Sequence, residues 1–369
     1  MGAFNAEPAE TAALLKLMVI TLTIPAHSKS SGFVLPITWL NIKGLNRMDN
    51  PFLVGYAGPA PGDEPACEPA SASKVDGPLI SEPGFYPHIT PAQYFAEPCP
   101  DAALTNSGIK MLMGKKFRGD QAPAKFANWH PRLNPEAGTG KDSAALRFGS
   151  VMHRLALGKG AEYAISPYDD YRSADARRWK KDVEAAGQIP IKQADFDHAE
   201  TLASIVRAQI EHLFAGHEFQ TEVVLAWQEE TAFGKVWCRT MLDVWCPDLL
   251  QGVDLKSALD ASDDALDRAY SDGYAVQEYW QKRGIQRVTG EYGRVQMPFL
   301  FIEKSEPLLT RIADASEAYM SGAELICERA LNIFGECMST GDWPGYEPYT
   351  ATPTPWWLND AAALEMETA

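Results

Sequence analysis

The chain has 369 residues, 46% of them hydrophobic and 22% charged. That balance excludes a wholly disordered, collagen-like or mucin-like protein. Lys and Arg total 33 against 49 Asp and Glu, a formal net charge of −16; this excludes a surface that grips nucleic acid everywhere, but not a local basic channel or a carboxylate metal site.

In chain order, the longest apolar stretch, Leu14 to Ala26, is interrupted by Lys16, Thr21, Thr23 and Pro25. It is too short to span a membrane. Glu7 and Glu10 stand where a secretory signal carries positive charge, so a cytoplasmic protein with no membrane role is expected. Tyr56 to Pro83 is dense in Pro, Ala, Gly, Glu and Ser, and residues 1–80 read as a poorly ordered extension and linker. Organised sequence follows over 81–357, with 358–369 as a tail. The six cysteines form no CxxC or CxxH pair, which argues for reduced thiols rather than a zinc ribbon or an iron–sulfur cluster.

Thr105-Asn106-Ser107-Gly108 predicts a helix start, Pro123 to Trp129 a second short helix, and Ser143 a cap for a helix from Ala144 to about Gly158. Helices are also expected over 174–186 and 195–214. The period then changes. Thr221 to Trp227 is β-rich, Glu229-Glu230-Thr231-Ala232 reads as a turn, and Gly234 to Trp245 and Leu250 to Ser257 are two further β runs. Three strands joined by tight turns predict an antiparallel meander. A helix from Ser262 to about Arg283, a strand over 295–303 and a long helix over 308–339 complete the chain. The fold class is α/β (α+β): a central mixed β-sheet containing an antiparallel meander, flanked by helices.

The chemistry concentrates in Asp243 and Asp254-Leu255-Lys256. Residues i and i+2 of a strand share a face, so Asp254 and Lys256 project together. Asp243, on the preceding strand, reaches the same face. Two carboxylates beside an ammonium suit Mg²⁺, which takes hard oxygen ligands and retains waters. Such an ion polarises a phosphodiester and lowers the pKa of bound water, and Lys256 can orient that water or stabilise developing charge.

This arrangement resembles the PD-(D/E)XK nuclease superfamily, and in more detail the exonuclease VIII (RecE-type) family of phage recombination nucleases. The resemblance runs from about Thr105 to Tyr346 through Leu104–Lys110, Ala122–Phe126, Ala145–His153, Thr221-Glu222, Arg239…Leu242-Asp243, Asp254–Ser257, Tyr274-Ala275-Val276-Gln277 and Trp343-Pro344-Gly345-Tyr346. It implies a PD-(D/E)XK core and a metal held by Asp243, Asp254, the Leu255 backbone carbonyl and His153, with Glu222 as a further acid. Because an imidazole is unusual on Mg²⁺, His153 either contacts phosphate or admits Mn²⁺. The resemblance also implies 5′-to-3′ digestion of double-stranded DNA from an end, leaving a 3′ single strand, by a ring-like homo-oligomer with a single-strand annealing recombinase (RecT-type) as partner. A non-catalytic DNA-binding scaffold and a site-specific endonuclease of the same superfamily are the alternatives.

Tyr274 and Gln277 lie three apart on a helix and share a face that Tyr270 and Gln281 extend. That stripe is expected to contact DNA backbone and a frayed base. Lys282, Arg283, Arg287 and Arg294 follow as candidates for a local basic channel. Gly138-Thr139-Gly140-Lys141-Asp142 departs from a phosphate-binding loop, since Pro135 stands in place of its leading Gly and Asp142 in place of Ser or Thr.

Overall fold

In a computed structural model of the chain, residues 78–137 and 143–351 are described. Met1–Ala70 and Ser71–Ala369 are separate units. The first lies outside the described residues, as do nearly all of the expected N-terminal extension, the glycine-rich segment at 138–142 and the tail at 358–369.

The described part of the second unit begins with β1 (Gly84–Tyr86), α1 (Pro91–Phe95), β2 (Ala103–Leu104), α2 (Asn106–Met113), α3 (Pro123–Trp129) and α4 (Ala144–Leu157). A small β3 (Tyr163–Ser166), α5 (Ala174–Ala185), β4 (Ile189–Lys192) unit and the long α6 (Gln193–Leu213) follow. The meander comprises β5 (Gln220–Thr231), β6 (Gly234–Cys246) and β7 (Gln251–Ala258). Then come α7 (Asp263–Ala269), a wide helical turn over Tyr270–Tyr274, α8 (Ala275–Thr289), β8 (Phe299–Glu303), β9 (Thr310–Ala313) and α9 (Glu317–Thr340).

The main sheet runs β1-β5-β6-β7-β8-β9, with β2 pairing parallel to β6. β5, β6 and β7 are the antiparallel meander, and β8 joins β7 in parallel after the crossover through α7 and α8. The mixed sheet expected from the sequence is therefore present, with helices on both faces. α2, α8 and α9 pack on one face, around Trp227, Trp280, Phe299, Phe301 and Phe334. α4 and α6 pack on the other, where Val151, Met152, Leu202, Val206 and Ile210 meet Val253, Leu255, Leu300 and Ile302. The alternation along β7 and β8 sends Val253 and Leu255 into the second core and leaves Asp254 and Lys256 facing the first.

Close approach of α8 to the sheet depends on Gly284, where an added Cβ would come within 2.6 Å of the Trp227 ring. Ahead of β1, Ile80 is fully buried and its N–H donates to Pro98 O at 3.0 Å, so the packed structure takes in residues just before position 81. The described cysteines, Cys99, Cys238, Cys246, Cys327 and Cys337, are buried and unpaired.

Three boundaries differ from the sequence expectation. Glu229, Glu230 and Thr231 are not a turn but the end of β5; the reversal falls at Ala232-Phe233, where Thr231 Oγ1 donates to Gly234 O at 2.7 Å and accepts from Phe233 N–H. Glu229 is buried against arginines of α8. The helix expected from Ser262 to Arg283 instead continues to Thr289 and is interrupted at Gly273, whose φ of 130° no L-residue adopts readily. The segment read as the start of the last helix contains β9, an edge strand that pairs with β8.

Candidate active site

The site forms where the meander meets α4. The Ser143 hydroxyl caps α4 by accepting from Leu146 N–H at 3.2 Å, and Gly158 closes the helix in the left-handed conformation. Within it, Gly149 faces β7, where an added Cβ would stand at ordinary contact distance, 3.8 Å, from Ser257 Oγ. One turn later His153 reaches the sheet.

Across β5 and β6, the pairs Thr221↔Val244 and Val223↔Leu242 set Glu222 opposite Asp243. Glu222 has a φ of 53°, a left-handed conformation that costs a non-glycine residue about 1 kcal/mol or more and gathers at functional sites. The β6 strand turns over at the same point. Leu242 packs in one core and Val244 in the other, although i and i+2 of a regular strand share a face.

Asp243 and His153 together hold the two backbone polar groups of Leu255. Leu255 N–H donates to Asp243 Oδ2 at 2.8 Å, and His153 Nε2–H donates to Leu255 O at 3.0 Å. His153 Nδ1 then lies 3.5 Å from Asp243 Oδ2. One ligand atom each of His153, Glu222 and Asp243 falls within a group no more than 4.8 Å across. Glu222 and Asp243 are both buried, and Glu222 Oε2 has no hydrogen-bond partner. Burial is the main reason that both carboxyls are pushed above their ordinary range. The Asp243 charge adds to the rise at Glu222 and the Asp254 charge to that at Asp243, against a smaller opposing pull from His153.

Beside this group, Asp254 is held on all sides. Lys256 Nζ pairs with its Oδ1, while Gln277 and Gln281 donate to its Oδ2 at 2.7 and 2.8 Å. Burial opposes the charge on Lys256, but Asp254 and Asp243 outweigh it and raise its pKa. The ammonium lies 5.7 Å from the Tyr274 ring centroid and 5.1 Å from that of Phe299.

Of the residues predicted from sequence, the structure therefore brings together His153, Glu222, Asp243 and the Leu255 peptide, with Asp254 and Lys256 as an adjoining pair outside the three-residue group. Gln277 and Gln281, expected on DNA, point inward at Asp254. Tyr274 packs on Phe299 and Phe301 beneath Lys256. Arg283, also expected on DNA, is buried: its Nε and Nη2 donate to Glu229 at 2.6 and 2.8 Å, and its Nη1 donates to Glu328 at 2.6 Å. Arg287 shares Glu229, Lys282 binds Glu278 and Asp314, and Arg294 pairs with Glu291. Each of these cations is thus paired with a carboxylate, Arg283 in the interior and Arg294 at the surface. Phe299 was passed over, although the alternation of Phe299 and Phe301 in Met-Pro-Phe-Leu-Phe-Ile carried the signal: the β7–β8 register sets Asp254 beside Phe299 and Lys256 beside Phe301.

One imidazole nitrogen and two carboxylates, one with an unpartnered buried oxygen, fit a divalent cation that accepts mixed nitrogen and oxygen ligands. No thiol lies in the group.

Residues 114–349 match the family described as PDDEXK-like domain of unknown function (DUF3799). No curated protein matches the chain. Among solved structures, a protein from Eubacterium rectale provisionally named an exonuclease is similar at 19% identity and a TM-score of 0.44, over 71% of this chain and 93% of that one. A protein named SSO0001 is similar at 9% identity and a TM-score of 0.23, over 50% of this chain and 83% of that one. Neither likeness bears on activity.

Proposed function

Because the chain belongs to the PDDEXK-like family of unknown function, DUF3799, we propose that it is a metal-dependent deoxyribonuclease, acting as an exonuclease on the ends of linear double-stranded DNA. The observation that carries this reading is the His153–Glu222–Asp243 group, with its two buried acids and unpartnered Glu222 oxygen, beside the Asp254–Lys256 pair. His153, Glu222 and Asp243 would hold the cation, with Asp254 and the Leu255 carbonyl adjoining. A bound Mg²⁺ or Mn²⁺ supplies polarisation of the phosphodiester and an acidified water.

The chain's own groups do the rest. Gln277 and Gln281 fix the Asp254 carboxylate from behind. Asp254 and Asp243 keep Lys256 charged, so that its ammonium can stabilise negative charge developing on a phosphate. Phe299 and Tyr274 exclude water from one side of that ammonium. His153 and Asp243 bond the Leu255 carbonyl and N–H, which orients that carbonyl.

The exonuclease reading, its 5′-to-3′ polarity, the ring-like assembly and the annealing partner rest on the resemblance to the RecE-type family. The test is digestion of linear duplex against covalently closed circular duplex, with Mg²⁺, with Mn²⁺ and with chelator. Metal-dependent loss of the linear form with the circle intact is expected. Cleavage of the circle would instead make the protein an endonuclease. Binding of duplex without cleavage under any divalent ion would make it a scaffold.

A further inference from the structure

Of the cations expected to form a DNA channel, Arg283 and Arg287 are held by the buried Glu229, Lys282 by Glu278 and Asp314, and Arg294 by Glu291, and the chain carries a formal net charge of −16. A nuclease of this kind needs phosphate contacts elsewhere, because positive side chains at the backbone supply most of the affinity for DNA. α5 offers a place. Its buried face carries Ala176 and Val183. The opposite face carries Arg177, Arg178 and Lys181, all exposed. Positions 177 and 181, and 178 and 181, are helical neighbours, so the three cations form one cluster. Asp175 and Asp182 border this face, yet none of the three cations makes an ion pair among the described residues; Lys180, on the flank, takes Glu184.

The cluster stands on a rigid support. The Tyr171 and Trp179 rings stack at 6.4 Å with an interplanar angle of 8°, and the ammonium groups of Lys180 and Lys192 lie 5.4 and 5.9 Å from the Tyr171 centroid. The last turn of α5 reaches α4 through Glu184, 3.6 Å from Arg147. Arg147 lies six residues before His153 on that helix, about 9 Å along its axis. Seven residues of α5, about 10 Å, separate Glu184 from Arg177, so the path along the two helices from the cluster to His153 is no longer than about one turn of B-DNA, about 34 Å.

We propose that the Arg177–Arg178–Lys181 face of α5 holds the phosphate backbone of duplex DNA flanking the bond to be cut. This rests on the nuclease reading above and adds to it a second contact, separate from the chemistry. Contacts of this type are sequence-independent and release counterions in proportion to the phosphates engaged.

The experiment is a salt titration of binding to a fluorescent linear duplex, followed by anisotropy with chelator present so that no cleavage occurs, using the full-length chain. Neutralising all three side chains (Arg177→Ala, Arg178→Ala, Lys181→Ala) should lower the slope of log affinity against log salt by about 2 to 3, at roughly 0.9 per phosphate lost. Lys235→Ala, a single exposed neutralisation on the β5–β6 hairpin, controls for net charge and should leave the slope unchanged. An unchanged slope in the triple variant overturns the inference while the nuclease reading stands, provided the wild-type chain cleaves. A Lys235→Ala effect as large per charge also overturns it, because the effect would then be one of net charge. Failure of the wild-type chain to bind or cleave any duplex overturns the nuclease reading and this one with it.

Discussion

Two buried glutamates on the same strand, Glu222 and Glu229, are treated in opposite ways by the rest of the molecule. Glu229, near the hairpin end of β5, accepts both arms of the Arg283 fork, a share of Arg287 and the Trp227 indole N–H at 2.9 Å. Burial works against its charge, but the hydrogen bonds from Arg283 and Arg287 overcome it and hold the carboxyl below its ordinary range. Glu222, seven residues earlier, faces another acid, leaves one oxygen unpartnered and sits in a left-handed backbone. Its pKa is raised, chiefly by burial and then by Asp243. A buried acid that brings its own guanidinium is a strut. A buried acid left facing a second acid and an imidazole is, on the proposed reading, where the cation would be held.

The largest expected effect lies at the unpaired end. Asp243→Asn keeps an acceptor for Leu255 N–H, so the fold should hold, but it removes a charged ligand. Cleavage of linear duplex should fall by about 10²–10³-fold or more, as for loss of a metal-mediated or preorganised transition-state interaction. Lys256→Met should suppress cleavage on a similar scale while leaving Mn²⁺ binding by calorimetry nearly intact, because an ammonium has no lone pair to offer a metal. Turnover near wild type in either variant would reduce the group to a structural feature like Glu229.

Next in size is a difference of sign in stability. Glu229→Gln leaves Arg283 and Arg287 facing an uncharged group, and breaking such a buried pair costs roughly 3 kcal/mol. Glu222→Gln removes a buried, poorly compensated charge and should be neutral or stabilising by up to about 1 kcal/mol without metal. Urea unfolding of both variants with chelator present checks the pair. Equal destabilisation by both would erase the distinction. Adding Mn²⁺ should raise the stability of the wild-type chain and of Glu229→Gln more than that of Glu222→Gln.

How far this contrast could be read from sequence depends on how local its causes are. Asp254 and Lys256 follow from strand alternation, and Asp243 from the adjoining strand, so the order helices, meander, helix, strand, helix already placed them near one another. His153 and Glu222 came from motif resemblance, since a lone histidine on a helix carries no address of its own. The left-handed backbone at Glu222 has no sequence signal of the kind a glycine would give. Arg283 was misread because its partner Glu229 is 54 residues away, on a segment read as a turn. Gln277 and Gln281 lie on the expected stripe, but periodicity does not say whether a stripe faces a ligand or a buried carboxylate. The short strands β1, β2, β3, β4 and β9 were not foreseen, being too brief to show a period.

A third buried acid tests whether the contrast is one of partners or of burial alone. Glu278 on α8 is fully buried; Lys282 Nζ lies 2.6 Å from its Oε1, and Ala315 N–H donates to its Oε2 at 3.0 Å. By partner count it resembles Glu229. Yet Lys282 also serves Asp314 at 3.0 Å, and burial, with a proton shared toward Asp314, pushes Glu278 up to about 8. A carboxyl whose pKa rises on folding contributes stability that is present below its ordinary value, near 4.5, and that is lost as pH rises toward 8. Glu278→Gln mimics the protonated form and does not titrate. At pH 5 it should cost no more than about 1 kcal/mol, the scale of one imperfectly replaced hydrogen bond. Between pH 5 and 8 the gap should close or reverse in the variant's favour, measured by urea unfolding at three pH values. A gap that instead widens with pH would mean that Glu278 is ionised and paired as Glu229 is, and that one shared lysine serves a buried carboxylate as well as a guanidinium fork does.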